Sequence, residues 1–192
     1  MSDITKEQLK INFHFISFLE GSSCEGYVPD PDKSQSGVTI ASGFDIGQRS
    51  ENELVTAFDL DLCLKLIPYA NKTKHSACEQ LAELPLNISQ EEANIINAFS
   101  HSDAQTRLVK EWDASNTYCA FEALSEECQT VVASIAFQYG NLRIKTPNFW
   151  HQVTLGDWQG AYENLRHFGD KYPSRRNKEA DLLASWLNVF RV

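Results

Sequence analysis

The chain has 192 residues, enough for one good-sized core or two small intimate lobes, and its 42% hydrophobic and 22% charged content is that of an ordinary soluble globular protein. A formal net charge of −9 argues against a nucleic-acid partner, whose phosphates demand a basic face. No apolar run approaches the length needed for membrane insertion.

Met1 to Glu7 has neither the basic start nor the apolar stretch of a secretory signal. The expectation is synthesis in the cytoplasm, with any export left to a separate device. Five cysteines stand at 24, 63, 78, 119 and 128, without a Cys-x-x-Cys pair, so a zinc site is not indicated. Cys63 with Cys78, or Cys119 with Cys128, would close loops in an oxidising compartment; buried free thiols are the default. The five histidines are scattered and show no ligand spacing.

Residues 4–19 carry Ile4, Leu9, Ile11, Phe13, Phe15, Ile16, Phe18 and Leu19, a pattern that predicts a helix packed on more than one side. Gly21 suits its C-terminus, which puts Glu20 in the last turn. Residues 22–47 are punctuated by glycine and proline and predict loops with short strands, a hairpin or meander. Ser50 with Glu53 forms a capping-box pattern before Leu54, Val55, Phe58 and Leu62, and Pro68 marks the end of that helical stretch.

A shorter helix is predicted around 72–83. Ser89 with Glu92 repeats the capping box and opens a helix through Ile96 and Phe99, with a break near His101. Ser125 precedes a helix that buries Val131, Val132, Ile135 and Ala136 and ends at Gly140. Thr146-Pro147 begins another. Two more cover 157–168 and 174–190, the last with Leu183, Trp186, Leu187 and Phe190 at helical spacing. The four tryptophans read as core. The sum is α+β and predominantly helical: one domain over 1–192, with an N-terminal lobe of about 1–70 that holds the small β region and a helical lobe of about 71–192.

Three residues in the first quarter could carry chemistry. Glu20 sits at a helix end whose dipole raises a carboxyl's pKa slightly, as suits a proton donor. Thr39 lies between Val38 and Ile40, and Asp45 is bracketed by Gly43 and Gly47. A donor carboxyl, a second carboxyl to activate water and a hydroxyl to hold that water suffice to hydrolyse a glycosidic bond. Each has a plainer reading: an exposed glutamate, a strand threonine, an aspartate that stabilises its turn. Asp30 and Asp32, in Pro-Asp-Pro-Asp, compete with Asp45. Lys171, Arg175, Arg176 and Lys178 read as a solvated basic helix face.

Phe18-Leu19-Glu20-Gly21 followed by Ser36-Gly37-Val38-Thr39-Ile40-Ala41-Ser42-Gly43-Phe44-Asp45-Ile46-Gly47 resembles the catalytic segment of pesticin-like muramidases, relatives of the phage-type lysozymes found in bacteriocins, endolysins and type VI secretion effectors. Ala41 replaces one glycine of the family pattern, a change that is tolerable unless the backbone there needs a positive φ. Ser134 to Gly140 resembles the family helix that often ends Phe-Asn-x-Gly, with Gln138 in place of asparagine. Arg175-Arg176-Asn177-Lys178-Glu179 resembles the closing Arg-Arg-x-x-Glu helix.

The resemblance implies a lysozyme-like fold and a muramidase that cleaves the β-1,4 bond between N-acetylmuramic acid and N-acetylglucosamine. Glu20 would be the acid, Asp45 the base and Thr39 the water-positioning hydroxyl; Asp32 would satisfy the residue order of ordinary phage lysozymes. Tyr27, Phe44 and Gln138 would line the sugar cleft, and Arg175 or Arg176 would support Glu20. The resemblance implies no metal or cofactor. The expected partners are peptidoglycan glycan strands, a cognate immunity protein and a secretion-system or fusion partner, with no nucleic acid and no membrane insertion. The rival readings are a cysteine amidase built on Cys24 and a non-catalytic wall-binding protein on the same scaffold.

Overall fold

A computed structural model describes residues 9–189. Among the described residues, ten α-helices and a three-stranded antiparallel sheet make an α+β fold dominated by helix. The chain divides into two compact units, one of Glu20–Ser100 and the other of the residues up to Leu19 with those from His101 onward.

The first unit is built on the sheet. Strands β1 (Ser23–Tyr27), β2 (Thr39–Ala41) and β3 (Phe44–Asp45) follow one another as the expected meander. Helix α2 (Glu51–Ala57) opens on a complete capping box, with the Ser50 hydroxyl accepting from Glu53 N–H and the Glu53 carboxylate accepting from Ser50 N–H. The stretch predicted as one helix is two. Phe58 adopts an extended backbone, and Asp59 restarts the chain by capping α3 (Leu60–Leu66) through its carboxylate. A 3-10 turn at Ile67–Tyr69 absorbs Pro68, and α4 (Lys74–Glu83) follows.

The core of this unit holds Val38, Ile40, Phe44, Ile46, Leu54, Leu62, Leu66 and Ile96. Fully burying a side chain of this size contributes about 1.5–3 kcal/mol, so these residues hold the small sheet against its helices.

Helix α5 (Gln90–Asp113) runs unbroken through His101, where a break was expected. Nothing in the local sequence terminates it, and His101 is buried with its ring stacked on Phe13, centroids 4.7 Å apart. The Ser89–Glu92 capping box forms as predicted.

The second unit includes α1 (Phe13–Glu20) up to Leu19; residues 9–12 are not helical, and the predicted helix from Ile4 to Gln8 lies outside the described residues. Its centre is α6 (Glu126–Tyr139), buried from Cys128 to Ala136. A short α7 (Leu142–Lys145), α8 (Pro147–Thr154), α9 (Trp158–Arg166) and α10 (Pro173–Val189) complete it; Phe190 lies outside the described residues. Trp112, Trp150 and Trp158 are core, and Trp186 packs on it partly buried. All five cysteines are free thiols. Among the described residues, no helix is long and apolar enough to cross a membrane.

Candidate active site

Helix α1 ends at Glu20, which is half-buried, and Gly21 turns the chain toward β1. The Ser42 hydroxyl donates to Gly21 O at 2.7 Å, and Ser42 N–H donates to Asn97 Oδ1 at 3.0 Å. The β2–β3 turn is thereby tied on one side to the residue after Glu20 and on the other to α5. Neither tie was visible in the sequence, because Ser42 and Asn97 are 55 residues apart.

The sheet register brings three predicted residues into one row. Tyr27 is the partner of Thr39, and Thr39 is the partner of Asp45. Directly opposed residues of neighbouring strands share a face with Cβ atoms about 4.5–5.5 Å apart, so a phenol, a hydroxyl and a carboxylate stand side by side. Tyr27 is exposed and Asp45 half-buried, whereas Thr39 is only 3% exposed. Burial first, and then the negative charge of Asp45, raises the pKa of Tyr27 above 10.0. The phenol therefore stays protonated beside the carboxylate.

Two backbone contacts fix this row. Gly37 N–H donates to Asp45 Oδ1 at 3.0 Å, and the Thr39 hydroxyl donates to Gly37 O at 3.2 Å. With its proton committed, the Thr39 oxygen keeps lone pairs to accept from water. Gly37 itself packs backbone to backbone on Gly47, which explains why glycine stands at both positions. Ala41 has φ of +54°, the left-handed region that favours glycine. The condition set for tolerance at this family glycine is not met, and Ala41 carries a conformational cost.

Asp32 stands apart from this row. It is exposed in the loop before β2 and pairs with His75, Oδ1 to Nε2 at 3.3 Å. Phe44, expected to face sugar, is 4% exposed, with its ring edge-to-face against Phe58 and Phe99 and under the Arg49 guanidinium. That is a packing role.

Gln138 is half-buried near the end of α6, and its Oε1 accepts from Arg176 Nη2. Only half of the basic cluster is a solvated face: Lys171 and Lys178 are exposed, and the two arginines are not. Arg176 is 1% exposed and bonds Glu179 and Asp170, while Arg175 Nε donates to Glu179 Oε1 at 3.1 Å and its Nη2 to Ser134 O at 2.9 Å. Glu179 is fully buried and takes a further hydrogen bond from Ser134 Oγ. The arginines three and four residues before Glu179 lie on its face of α10, a spacing visible in Arg-Arg-x-x-Glu. Burial opposes a charged carboxyl at Asp170, but hydrogen bonds from Tyr139 and Arg176 outweigh it and hold its pKa below 3.8.

Cys24 Sγ lies 3.8 Å from Gln90 Oε1, and no histidine pairs with it among the described residues. Residues 10–159 match the family described as "Pesticin: Bacterial toxin homologue of phage lysozyme, C-term". The chain belongs to the pesticin family. The match covers β1 to β3 with Glu20, Tyr27, Thr39 and Asp45, and also α6 with Gln138. No curated protein matches the chain. Pesticin-family membership supports a lysozyme-like peptidoglycan hydrolase, and the α+β architecture agrees with it.

Proposed function

We propose that this chain is a muramidase that hydrolyses the β-1,4 bond between N-acetylmuramic acid and N-acetylglucosamine with inversion. The observation that carries the reading is the Tyr27–Thr39–Asp45 row across the sheet of a pesticin-family chain. Glu20 protonates the leaving oxygen. Asp45 takes a proton from water that Thr39 helps to hold, and the water attacks the anomeric carbon from the opposite face. Inversion requires room for that water, a carboxyl separation of roughly 6.5–9.5 Å. Tyr27, exposed and protonated, offers a donor and an aromatic face to the sugar. Asp45 is preferred to Asp32 because it shares the row with Thr39, whereas Asp32 pairs with His75 in a loop.

The setting we propose is antibacterial. The enzyme is made in the cytoplasm and acts on peptidoglycan in the periplasm or cell wall, as a toxin of a target cell or as a phage lysis enzyme. A cognate immunity protein and a secretion partner belong to that setting. The test is clearance of purified peptidoglycan by Glu20→Gln, Asp45→Asn and Asp32→Asn. Loss of the acid or the base slows clearance by about 10²–10⁴-fold, while Asp32→Asn keeps the parent rate. New reducing ends, with the α-anomer seen first by NMR, identify an inverting muramidase; new free amines identify an amidase. Parent-like clearance by Glu20→Gln sinks the assignment.

A further inference from the structure

A groove of about 660 Å³ lies wholly within the unit that includes the residues from His101 onward, between the C-terminal half of α5, the end of α6 and the start of α7. Its floor is apolar, with Leu108, Ala104 and Ala136, while Arg107, Lys110 and Arg143 stand on its rim. Glu111 is the one acid among the lining residues, and its Oε1 accepts from the backbone N–H of Arg143 at 3.2 Å. Three cations against one anion give the groove a net charge of +2 in a chain whose total is −9. Arg107 pairs with Asp103, 3.1 Å away on the preceding turn. Lys110 and Arg143 make no ion pair among the described residues, so two of the three cations are uncommitted. A positive recess on a strongly negative protein focuses anions toward itself.

The lining also includes Gly140 and Asn141, directly after the α6 residues that carry Gln138. A ligand in the groove therefore lies beside the C-terminal end of α6. We infer that this groove binds a short peptide bearing carboxylates, the acidic stem peptide attached to the glycan strand, with Arg107, Lys110 and Arg143 as its carboxylate contacts. Alanine and leucine side chains suit the methyl groups of such a peptide, and the rim cations suit its acids. The inference rests on the peptidoglycan reading above and extends it from the glycan to the peptide.

The experiment separates the two. The free tetrapeptide L-Ala–γ-D-Glu–meso-diaminopimelate–D-Ala is titrated into the full chain by NMR, alongside the same peptide with amidated carboxyls and alongside inorganic phosphate. The acidic peptide should shift amides of α5 and α7 around Arg107, Lys110 and Arg143, the amidated peptide should bind at least 10-fold more weakly, and Arg107→Gln/Lys110→Gln/Arg143→Gln should abolish the shifts. On intact peptidoglycan the triple variant should raise KM about 10-fold or more, and on glycan strands stripped of peptide it should match the parent. Equal binding of the amidated peptide, phosphate binding of equal strength at the same residues, or a triple variant with parent KM on intact wall overturns the inference. If the parent cleaves neither substrate, the hydrolase reading fails, while the peptide titration still decides the groove.

Discussion

The contact between Gly37 and Gly47 should be the least substitutable feature of the candidate site. A Cβ on Gly37 would stand 2.2 Å from Lys72 O and 2.5 Å from Gly47 Cα, and one on Gly47 would stand 2.1 Å from Lys72 O. These obstacles are backbone, so the chain itself must part. Parting it draws Gly37 N–H away from Asp45 Oδ1, now 3.0 Å distant. Overpacking costs about 1–3 kcal/mol, and a lost hydrogen bond to a charged group costs about 1.5–3 kcal/mol. Gly37→Ala should therefore lose about 3–5 kcal/mol, or roughly 6–20 °C in Tm for a chain of this length. Gly43→Ala is the control, because an added Cβ there meets nothing within 4 Å and only its φ of +92° opposes the change. It should cost about 1–2 kcal/mol. Urea unfolding by far-UV circular dichroism gives the energies, and hydrogen exchange at Thr39 and Ile40 locates the damage. If Gly37→Ala costs no more than Gly43→Ala, the steric argument is wrong.

Four further outcomes follow from other parts of the structure. Ala41→Gly should be nearly neutral: relief of the left-handed backbone returns about 1–2 kcal/mol, against about 0.8 for the lost methyl and about 0.4–1 for a freer unfolded chain. Ala133→Gly, fully buried inside α6, has no such relief and should cost about 1.5–2 kcal/mol in the same denaturation assay. Glu179→Ala takes from the buried Arg176 one of its two carboxylate partners and should cost about 3–5 kcal/mol by the same assay, with a loss under about 1 kcal/mol contradicting the network's role. His101 is held below its ordinary pKa of 6.5 by burial, so on acidification the unfolded ring gains a proton that the folded ring refuses. Stability is thus fully present above 6.5 and declines as pH falls toward the folded pKa; His101→Phe should flatten that slope, and an unchanged slope would assign it elsewhere.

Much of the architecture was readable because its signals are local. Capping boxes at Ser50 and Ser89, Gly140 at a helix end, Pro147 at a helix start and the glycine-rich meander all act within a few residues. The errors have long-range causes. No local signal marks Asp59 as a second start inside an apolar stretch, and the apparent weak point at His101 is filled by packing on Phe13 and Phe137. Arg176 looked solvated because charge alone suggests exposure, whereas its burial depends on Asp170 and Glu179. The basic groove has no local sequence signal, because Arg143 lies more than 30 residues beyond Arg107 and Lys110. For the site, the motif points to Thr39 and Asp45, but their common row with Tyr27 is set by the register.

That register is set by segments outside the motif. Three strands of five, three and two residues are too few to fix their own geometry, since small isolated sheets are marginal in water. The free edge of β1 is held instead by the chain after α4: Gly26 N–H donates to Leu86 O and Ile88 N–H to Cys24 O, both at 2.9 Å, around a single bridge between Glu25 and Asn87. At the other end, Gly37 bridges Thr73, and Lys74 N–H donates to Ser36 O at 2.8 Å. Both clamps flank α4, so this helix, which carries none of the proposed catalytic residues, bounds the position of Tyr27 on one side and Asp45 on the other. Damage to α4 should then appear as lost alignment of the row before it appears as lost helix, because the sheet has too little area of its own to resist. Selection for the reaction would accordingly reach residues 72–88 through backbone geometry, even though none of them is assigned a place at the sugar.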